Sequence, residues 1–147
     1  MNVKAILAAK TRNSGGDIID IEPKADLAAA AKLLAECRIG AVVIRGAGGH
    51  LAGILSERDI VRAIAEHGAA ALSLPVSQVM TREVETCRPE DSIADLMERM
   101  TAGKFRHMPV MSEGKLAGLV SIGDVVKQRV GEIESESEAM RDYIQSA

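Results

Sequence analysis

Two serine–aspartate pairs are the residues of this chain whose types and spacing are best suited to hold a ligand. Ser56 and Asp59 stand three residues apart, and Ser121 and Asp124 repeat that spacing. Each serine follows a short apolar segment and is predicted to begin a helix. A helix N-terminus attracts phosphate through its unpaired N–H groups and its dipole, and an ionised aspartate accepts hydrogen bonds from both hydroxyls of a ribose. The pairs therefore indicate a nucleotide site.

A structural interpretation of the same pairs stays open. Serine followed three residues later by an acidic residue is close to a capping box, which stabilises a helix without any ligand. A cap requires neither the glycine that stands three residues before each serine nor the arginines nearby. Arg58 adjoins Asp59, and Arg38 and Arg106 occupy matching places before a predicted strand in the two halves. Arginines so placed can converge on a phosphate, which favours nucleotide binding, with the side chains capping the helix when the site is empty.

Both pairs end a longer segment that occurs twice in the chain. Residues 51–61 match 116–126 at an offset of 65, with Leu-Ala-Gly, Ser, Asp and the final Val identical. Residues 38–43 match 106–111 at an offset of 68. Colinear matches of this kind predict an internal duplication.

Each repeat predicts the element order β-α-β-β-α. A first strand ends at Pro23 or Pro89, because proline cannot donate to a ladder, and a helix capped by Asp26 or Ser92 follows. Two strands and a second helix complete the repeat. The predicted hairpin strands are Ala41–Arg45 with Leu51–Leu55 and Pro109–Met111 with Leu116–Val120.

The predicted fold class is therefore α/β, with two repeats packed about a pseudo-twofold axis, because one copy cannot bury both faces of so small a sheet. The expected division is residues 1–70 for the first repeat with an N-terminal lead-in, 71–131 for the second repeat, and 132–147 for a helical extension. Val126, Val130, Ile133, Met140 and Ile144 lie on one helical face that runs into that extension, which predicts a long final helix packing on a second chain. A free tail is the alternative.

In this pattern the chain resembles the cystathionine β-synthase (CBS) domain, specifically the tandem CBS pair of stand-alone regulatory proteins. The resemblance covers about residues 3–131 and rests on the motif glycine–apolar–x–Ser–x–x–Asp that ends both repeats. It implies that the motif aspartates hold a ribose and that the motif serines contact phosphate. It also implies further contacts at matching positions. These are Arg38, Arg58, Arg106 and His107 on the phosphate side, and Ser77 and the neighbourhoods of Ile18, Ile19, Arg82 and Val84 on the adenine side.

The two sites are not expected to be equivalent. Arg58 has Gly123 as its counterpart, and Lys4 stands nearest to the place that matches Ser77. We therefore expect the site at Asp59 to bind more tightly than the site at Asp124.

The resemblance implies a cytoplasmic, homodimeric regulatory module that binds AMP, ADP, ATP or NAD(H) in the cleft between the repeats. The ligand would change the geometry of the dimer or of a partner protein that the sequence does not identify. No catalytic constellation accompanies the motif serines, so the chain is predicted not to be an enzyme and to require no cofactor. A ligand-independent scaffold for a transporter or an enzyme is the alternative function, and a nucleotide-processing enzyme is a second rival.

Composition excludes several other classes. Apolar residues make up 47% of the 147 residues, with one Tyr, one Phe and no Trp, which predicts an aliphatic core. A net charge of −3 without a basic run argues against a nucleic-acid partner, and no apolar run is long enough to span a membrane. Cys37 and Cys87 lack the spacing of a zinc site or a disulfide framework, and the three histidines share no ligand spacing, so no metal is expected.

Overall fold

The computed structural model describes residues 1–14 and 18–146, which form two compact units. The Asp59 unit comprises Ile18–Glu85 with Gly114–Leu116, and the Asp124 unit comprises residues 1–14, Thr86–Glu113 and 117–146. The sequence placed the N-terminal lead-in with the first repeat, at 1–70. The structure groups it with residues of the second repeat instead, because the buried side chains of Val3 and Ile6 belong to the Asp124 unit's core.

The Asp59 unit is a small three-stranded sheet with helices packed against it. Its strands have the order β1-β2-β3, with β1 parallel and β3 antiparallel to β2. The elements are β1 (Asp20–Ile21), α2 (Leu27–Cys37), β2 (Ala41–Arg45), β3 (Leu51–Ser56) and α3 (Glu57–His67), followed by single-turn or short 3₁₀ segments at Gly68–Ser73 and Val76–Gln78. The first helix of the chain, α1 (Val3–Ser14), belongs to the other unit.

Local sequence explains these elements. The β-branched run Val42–Ile44 is completely buried, as a central strand requires. Asp26 caps α2 by accepting a hydrogen bond from the N–H of Ala29 at 2.8 Å, as the sequence predicted. The core is aliphatic, also as predicted. Its buried members are Leu27, Ala30, Leu34, Val42, Ile44, Leu55, Ile60, Ala63, Ala71, Val76 and Met80.

The Asp124 unit contains the equivalent elements of the second repeat together with α1. These are α4 (Ile93–Gly103), β4 (His107–Ser112), β5 (Lys115–Ser121) and α5 (Ile122–Ser146). Glu113 and Gly114, between β4 and β5, both have positive φ, the conformation that a two-residue hairpin turn favours. The buried residues are Val3, Ile6, Cys87, Ile93, Leu96, Met100, Met108, Val110, Val120 and Val125.

The first strand of the second repeat is shorter than predicted. Within the described residues it is reduced to a single parallel bridge between Cys87 and Val110. Cys87 makes both of its backbone hydrogen bonds to β4, donating to Pro109 and accepting from Met111. Alternate residues bond to the neighbouring strand in a parallel ladder, so the next donor would be Pro89, which has no N–H. The sequence predicted a longer strand, ending at Pro89.

The C-terminal extension is a continuation of α5, which runs unbroken from Ile122 to Ser146. Residues 132–146 are therefore helical, and their packing on a second chain, with a free tail as the alternative, stays a prediction. Several large apolar side chains on α5 are at least 43% exposed. They are Val126, Val130, Ile133, Met140, Tyr143 and Ile144. In the part of the chain that the structure describes, no helix combines the length and the apolar character needed to cross a membrane.

The two cysteines should differ sharply in reactivity. Cys37 is exposed, whereas Cys87 is buried, and burial, reinforced by Asp91, raises the pKa of the Cys87 thiol to about 12. Because the thiolate is the reactive form, we expect a thiol reagent at pH 8 to modify one cysteine per folded chain and both in denaturant. A chromogenic disulfide measures this. Cys37→Ser should leave the folded protein without rapid reaction, and rapid labelling of that variant would contradict the buried position of Cys87.

Candidate functional site

The Ser56–Asp59 pair forms a complete capping box at the junction of β3 and α3. The Ser56 hydroxyl accepts from the N–H of Asp59 at 3.2 Å, and the Asp59 carboxylate oxygen Oδ2 accepts from the N–H of Ser56 at 2.9 Å. The Ser56 hydroxyl also lies 3.1 Å from Oδ2. The capping interpretation is thus confirmed. Because these bonds use Oδ2, the second carboxylate oxygen of Asp59, Oδ1, does not take part in the cap.

Within the part of the chain that the structure describes, the contact of that second oxygen, Oδ1, comes from a residue that the sequence did not single out. The Thr81 hydroxyl lies 3.5 Å from Oδ1 of Asp59, at the long limit of a hydrogen bond. Thr81 is held there by its backbone, which exchanges two hydrogen bonds with Ile54 of β3, at 2.9 and 3.0 Å. Asp59 also lines an open groove of about 310 Å³ in the Asp59 unit. Asp59 therefore lines accessible space, and its Oδ1 has a neutral hydroxyl as its neighbour.

The Ser121–Asp124 pair repeats the cap but adds a cation. The N–H of Ser121 donates to Oδ2 of Asp124 at 2.9 Å, and the N–H of Asp124 donates to the Ser121 hydroxyl at 3.1 Å. The ammonium of Lys10, on α1, lies 2.9 Å from the same Oδ2 and 2.7 Å from the carbonyl oxygen of Leu119. The sequence analysis did not foresee this contact across 114 residues.

The electrostatics of Asp124 reflect these contacts. Burial by itself would raise the pKa of its carboxyl group, but the hydrogen bonds from the Ser121 N–H and the Lys10 ammonium, with the Lys10 charge, outweigh burial and lower the pKa below its ordinary value. Asp124 is therefore held as a carboxylate that already has a counter-ion.

The structure matches the arginines of the two repeats differently from the sequence alignment. The sequence paired Arg38 with Arg106, but Arg38 follows α2 in the left-handed conformation just as Lys104 follows α4. The carbonyl of Arg106 accepts from the first N–H of α5 at 2.7 Å, the role that Gly40 has for α3 at 3.0 Å. Arg38 thus matches Lys104, and the pairing of Arg38 with Arg106 was wrong. The sequence alignment paired them because both are arginine, whereas the ends of α2 and α4 show the correct correspondence.

Arg38 and the motif aspartate of its own unit line different grooves. Arg38 lines a second groove, of about 570 Å³, together with Glu57 and Val61, whereas Asp59 lines the smaller groove. Arg58 is exposed and adjoins Asp59 in the first turn of α3. Arg58 is therefore the predicted phosphate contact that the fold keeps next to Asp59 in this unit. Arg106 is exposed and His107 is half-buried, at the start of β4 in the Asp124 unit.

The residues predicted on the adenine side lie on two segments of the Asp59 unit. Ile18 and Ile19 directly precede β1, and Ile19 packs on the unit's core. The guanidinium of Arg82 donates to the carbonyl of Ser77 at 2.9 Å, which closes the segment that carries Thr81. Val84, half-buried, follows on the same segment. Within residues 1–14 and 18–146, no group of three or more His, Cys, Asp or Glu side chains is arranged to hold a metal ion.

Comparison with known proteins places these features in a family. A family model described as "CBS domain" matches residues 15–66 and 76–131. The mitochondrial CBS domain-containing protein CBSX3 of Arabidopsis thaliana is 38% identical over 120 residues, which cover 79% of this chain and 58% of that protein. This chain thus spans less than two thirds of that relative. The crystal structure of the CBS-domain protein ATU1752 of Agrobacterium tumefaciens superimposes with a TM-score of 0.80 at 44% identity, covering 87% of this chain and 92% of that one.

Two more distant structures share the fold and were crystallised with ligands. The CBS domain protein PAE2072 of Pyrobaculum aerophilum, in complex with AMP, has a TM-score of 0.72 at 24% identity and covers 84% of this chain and 89% of its own. The CBS domain pair of the protein MJ0100, in complex with 5′-methylthioadenosine and S-adenosyl-L-methionine, has a TM-score of 0.77 at 23% identity and covers 90% and 98%. All three ligands contain adenosine.

Proposed function

This chain belongs to the CBS domain family, and from that premise we propose that it is a regulatory module that binds an adenosine-containing nucleotide at Asp59. The observation that carries the proposal is the state of the Asp59 carboxylate. Its Oδ2 completes the helix cap, whereas Oδ1 contacts, among the described residues, only a neutral hydroxyl at 3.5 Å, and Asp59 lines an open groove. An ionised oxygen in that position is a strong acceptor for a ribose hydroxyl.

The proposed ligand class follows from the chemical group that the ligands of the fold neighbours share. The ligands of the two distant fold neighbours differ in their phosphate, methylthio or methionyl groups but have the adenosine in common. We propose that the ribose hydroxyls are recognised by Asp59 and that the first turn of α3, with Ser56 and Arg58, receives phosphate when the ligand has one. AMP, ADP, ATP and NAD(H) all satisfy this requirement.

We further propose that the chain acts as a homodimer whose geometry, or that of a partner protein, changes on binding. The exposed apolar side chains of α5 support an association surface. A ligand shifts such an equilibrium only as far as it binds one state better than the other. The regulatory effect therefore depends on differential affinity and not on binding alone.

A ligand-independent scaffold is the second candidate, and the complete capping boxes favour it. In each motif pair, the serine and the aspartate satisfy each other's hydrogen bonds without any ligand. A scaffold of this kind would use its exposed apolar surface, and nucleotides would leave its stability unchanged.

Thermal unfolding of nucleotide-stripped protein separates the two candidates. At about 100 times its Kd, a ligand adds roughly 2.7 kcal/mol to the free energy of unfolding, which corresponds to a rise of several degrees in Tm for a chain of this size. We expect AMP, ATP and NAD to raise Tm and GMP to do so much less. The matched probe is 2′-deoxyadenosine monophosphate, which lacks one of the two ribose hydroxyls. An equal response to it would contradict ribose recognition by Asp59, and no response to any nucleotide would favour the scaffold.

A further inference from the structure

The strand that carries the motif glycine is β3 in one unit and β5 in the other, and a different segment of the chain packs on it in each unit. In the Asp59 unit, a methyl group at Gly53 of β3 would lie 2.7 Å from both the Met80 sulfur and the Thr81 carbonyl oxygen. In the Asp124 unit, a methyl group at Gly118 of β5 would lie 2.6 Å from Cδ2 of Leu7, on α1. Thus α1 occupies the position on β5 that the segment ending at Thr81 occupies on β3.

This replacement puts a different side chain beside each motif aspartate. The neighbour of Asp59 is the hydroxyl of Thr81, at 3.5 Å, whereas the neighbour of Asp124 is the ammonium of Lys10, at 2.9 Å. Lys10 lies one turn beyond Leu7 on the same face of α1, which directs it to the end of β5. The place beside the aspartate that a neutral hydroxyl takes in the Asp59 unit is taken by a cation in the Asp124 unit.

The consequence for ribose binding differs between the units. In each, Oδ2 accepts from the N–H of the motif serine. At Asp59 the other donor to Oδ2 is the Ser56 hydroxyl, which can rotate toward a ligand. At Asp124 the other donor is an ammonium that is also fixed by the Leu119 carbonyl at 2.7 Å. A ribose would have to displace this ion pair and leave that carbonyl without its donor.

We propose that Lys10 closes the Asp124 site to ribose, so that each chain takes one adenosine nucleotide, at Asp59. This rests on the proposed function and assigns its stoichiometry to one residue of the N-terminal helix. Removal of the ammonium opens the second site, because Asp124 then regains an uncompensated carboxylate in the same capping arrangement as Asp59.

Calorimetric titration with AMP tests the assignment. The wild type should bind one AMP per chain and Lys10→Met two, with Lys10→Met/Asp124→Ala returning to one. Lys4→Met is the matched control, since Lys4 is an exposed lysine on the same helix, and it should keep one. The ion pair is partly exposed, with 41% and 27% of the two side chains accessible, so its loss should leave the fold intact. Circular dichroism verifies this.

Three results would overturn the inference. The first is two AMP per wild-type chain, and the second is a single wild-type site that Asp124→Ala removes and Asp59→Ala preserves. The third is folded Lys10→Met that still binds one AMP. The absence of AMP binding in every variant, including Lys10→Met, would instead overturn the proposed function, and the stoichiometry with it.

Discussion

Asp59→Ala is expected to abolish the response of the protein to adenosine nucleotides. Hydrogen bonds to an ionised group contribute about 1.5–3 kcal/mol each, so the loss of one or two corresponds to a fall in affinity between about tenfold and about ten-thousandfold. The same substitution removes one half of the capping box, which costs about 1 kcal/mol of stability. Calorimetry measures the first effect, and urea unfolding without ligand measures the second.

The chain offers a matched control for the cap. Ser92 caps α4 by accepting from the N–H of Asp95 at 3.0 Å. Ser92 is not preceded by the strand and glycine of the motif. Ser92→Ala should lower stability by about 1 kcal/mol and leave AMP binding at the wild-type value. If the two variants reduced AMP binding equally, the effect of Asp59 would be attributable to helix stability alone.

Gly53→Ala is expected to be the most damaging of the single-methyl substitutions at the motif glycines. The new methyl group would lie 2.7 Å from the Thr81 carbonyl oxygen, a backbone atom that is fixed by its hydrogen bond with Ile54. Because no side-chain rotation relieves that contact, the segment must move. Overpacking of this kind costs about 1–3 kcal/mol. Since Thr81 moves with the segment, AMP binding should weaken in the same variant.

Gly118→Ala provides the comparison within the same chain. Its methyl group would meet Cδ2 of Leu7 at 2.6 Å, and this atom is the end of a side chain that can adopt another rotamer. Its loss of stability should therefore be clearly smaller than that of Gly53→Ala, as measured by urea midpoints at equal slope. The reverse order would show that α1 is held on β5 more rigidly than the Thr81 segment is held on β3.

Much of the fold was predictable because its signals are local. Asp26, Ser56 and Ser92 begin helices in the structure as their residue types and the following apolar spacing predicted. The two hairpin strands of the first repeat were predicted to within one residue, since buried β-branched residues and a glycine-containing turn delimit them. The first strand of the second repeat was overestimated, because Pro89 and Pro109 have no N–H with which to extend its ladder with β4 beyond Cys87.

The candidate site was predictable in its motif but not in its neighbours. The contacts of Asp59 with Thr81 and of Asp124 with Lys10 join residues 22 and 114 positions apart, and no pattern of spacing encodes them. One signal was present for Lys10. Val3, Ile6, Leu7 and Lys10 recur at helical spacing, which places the lysine at the end of an apolar stripe and so against some other element. Its partner, Asp124, could be identified only from the three-dimensional structure.

The grouping of α1 with the last third of the chain also has a consequence for the order of folding. The Asp59 unit is almost continuous in sequence, so apart from Gly114–Leu116 its contacts can form once residue 85 has been synthesised. The Asp124 unit must close a loop of more than a hundred residues between Lys10 and Asp124, and the entropy of that closure is lost before the contact stabilises anything. The helix α1 therefore leaves the ribosome long before the residues it packs against, and its apolar stripe stays exposed in the interval.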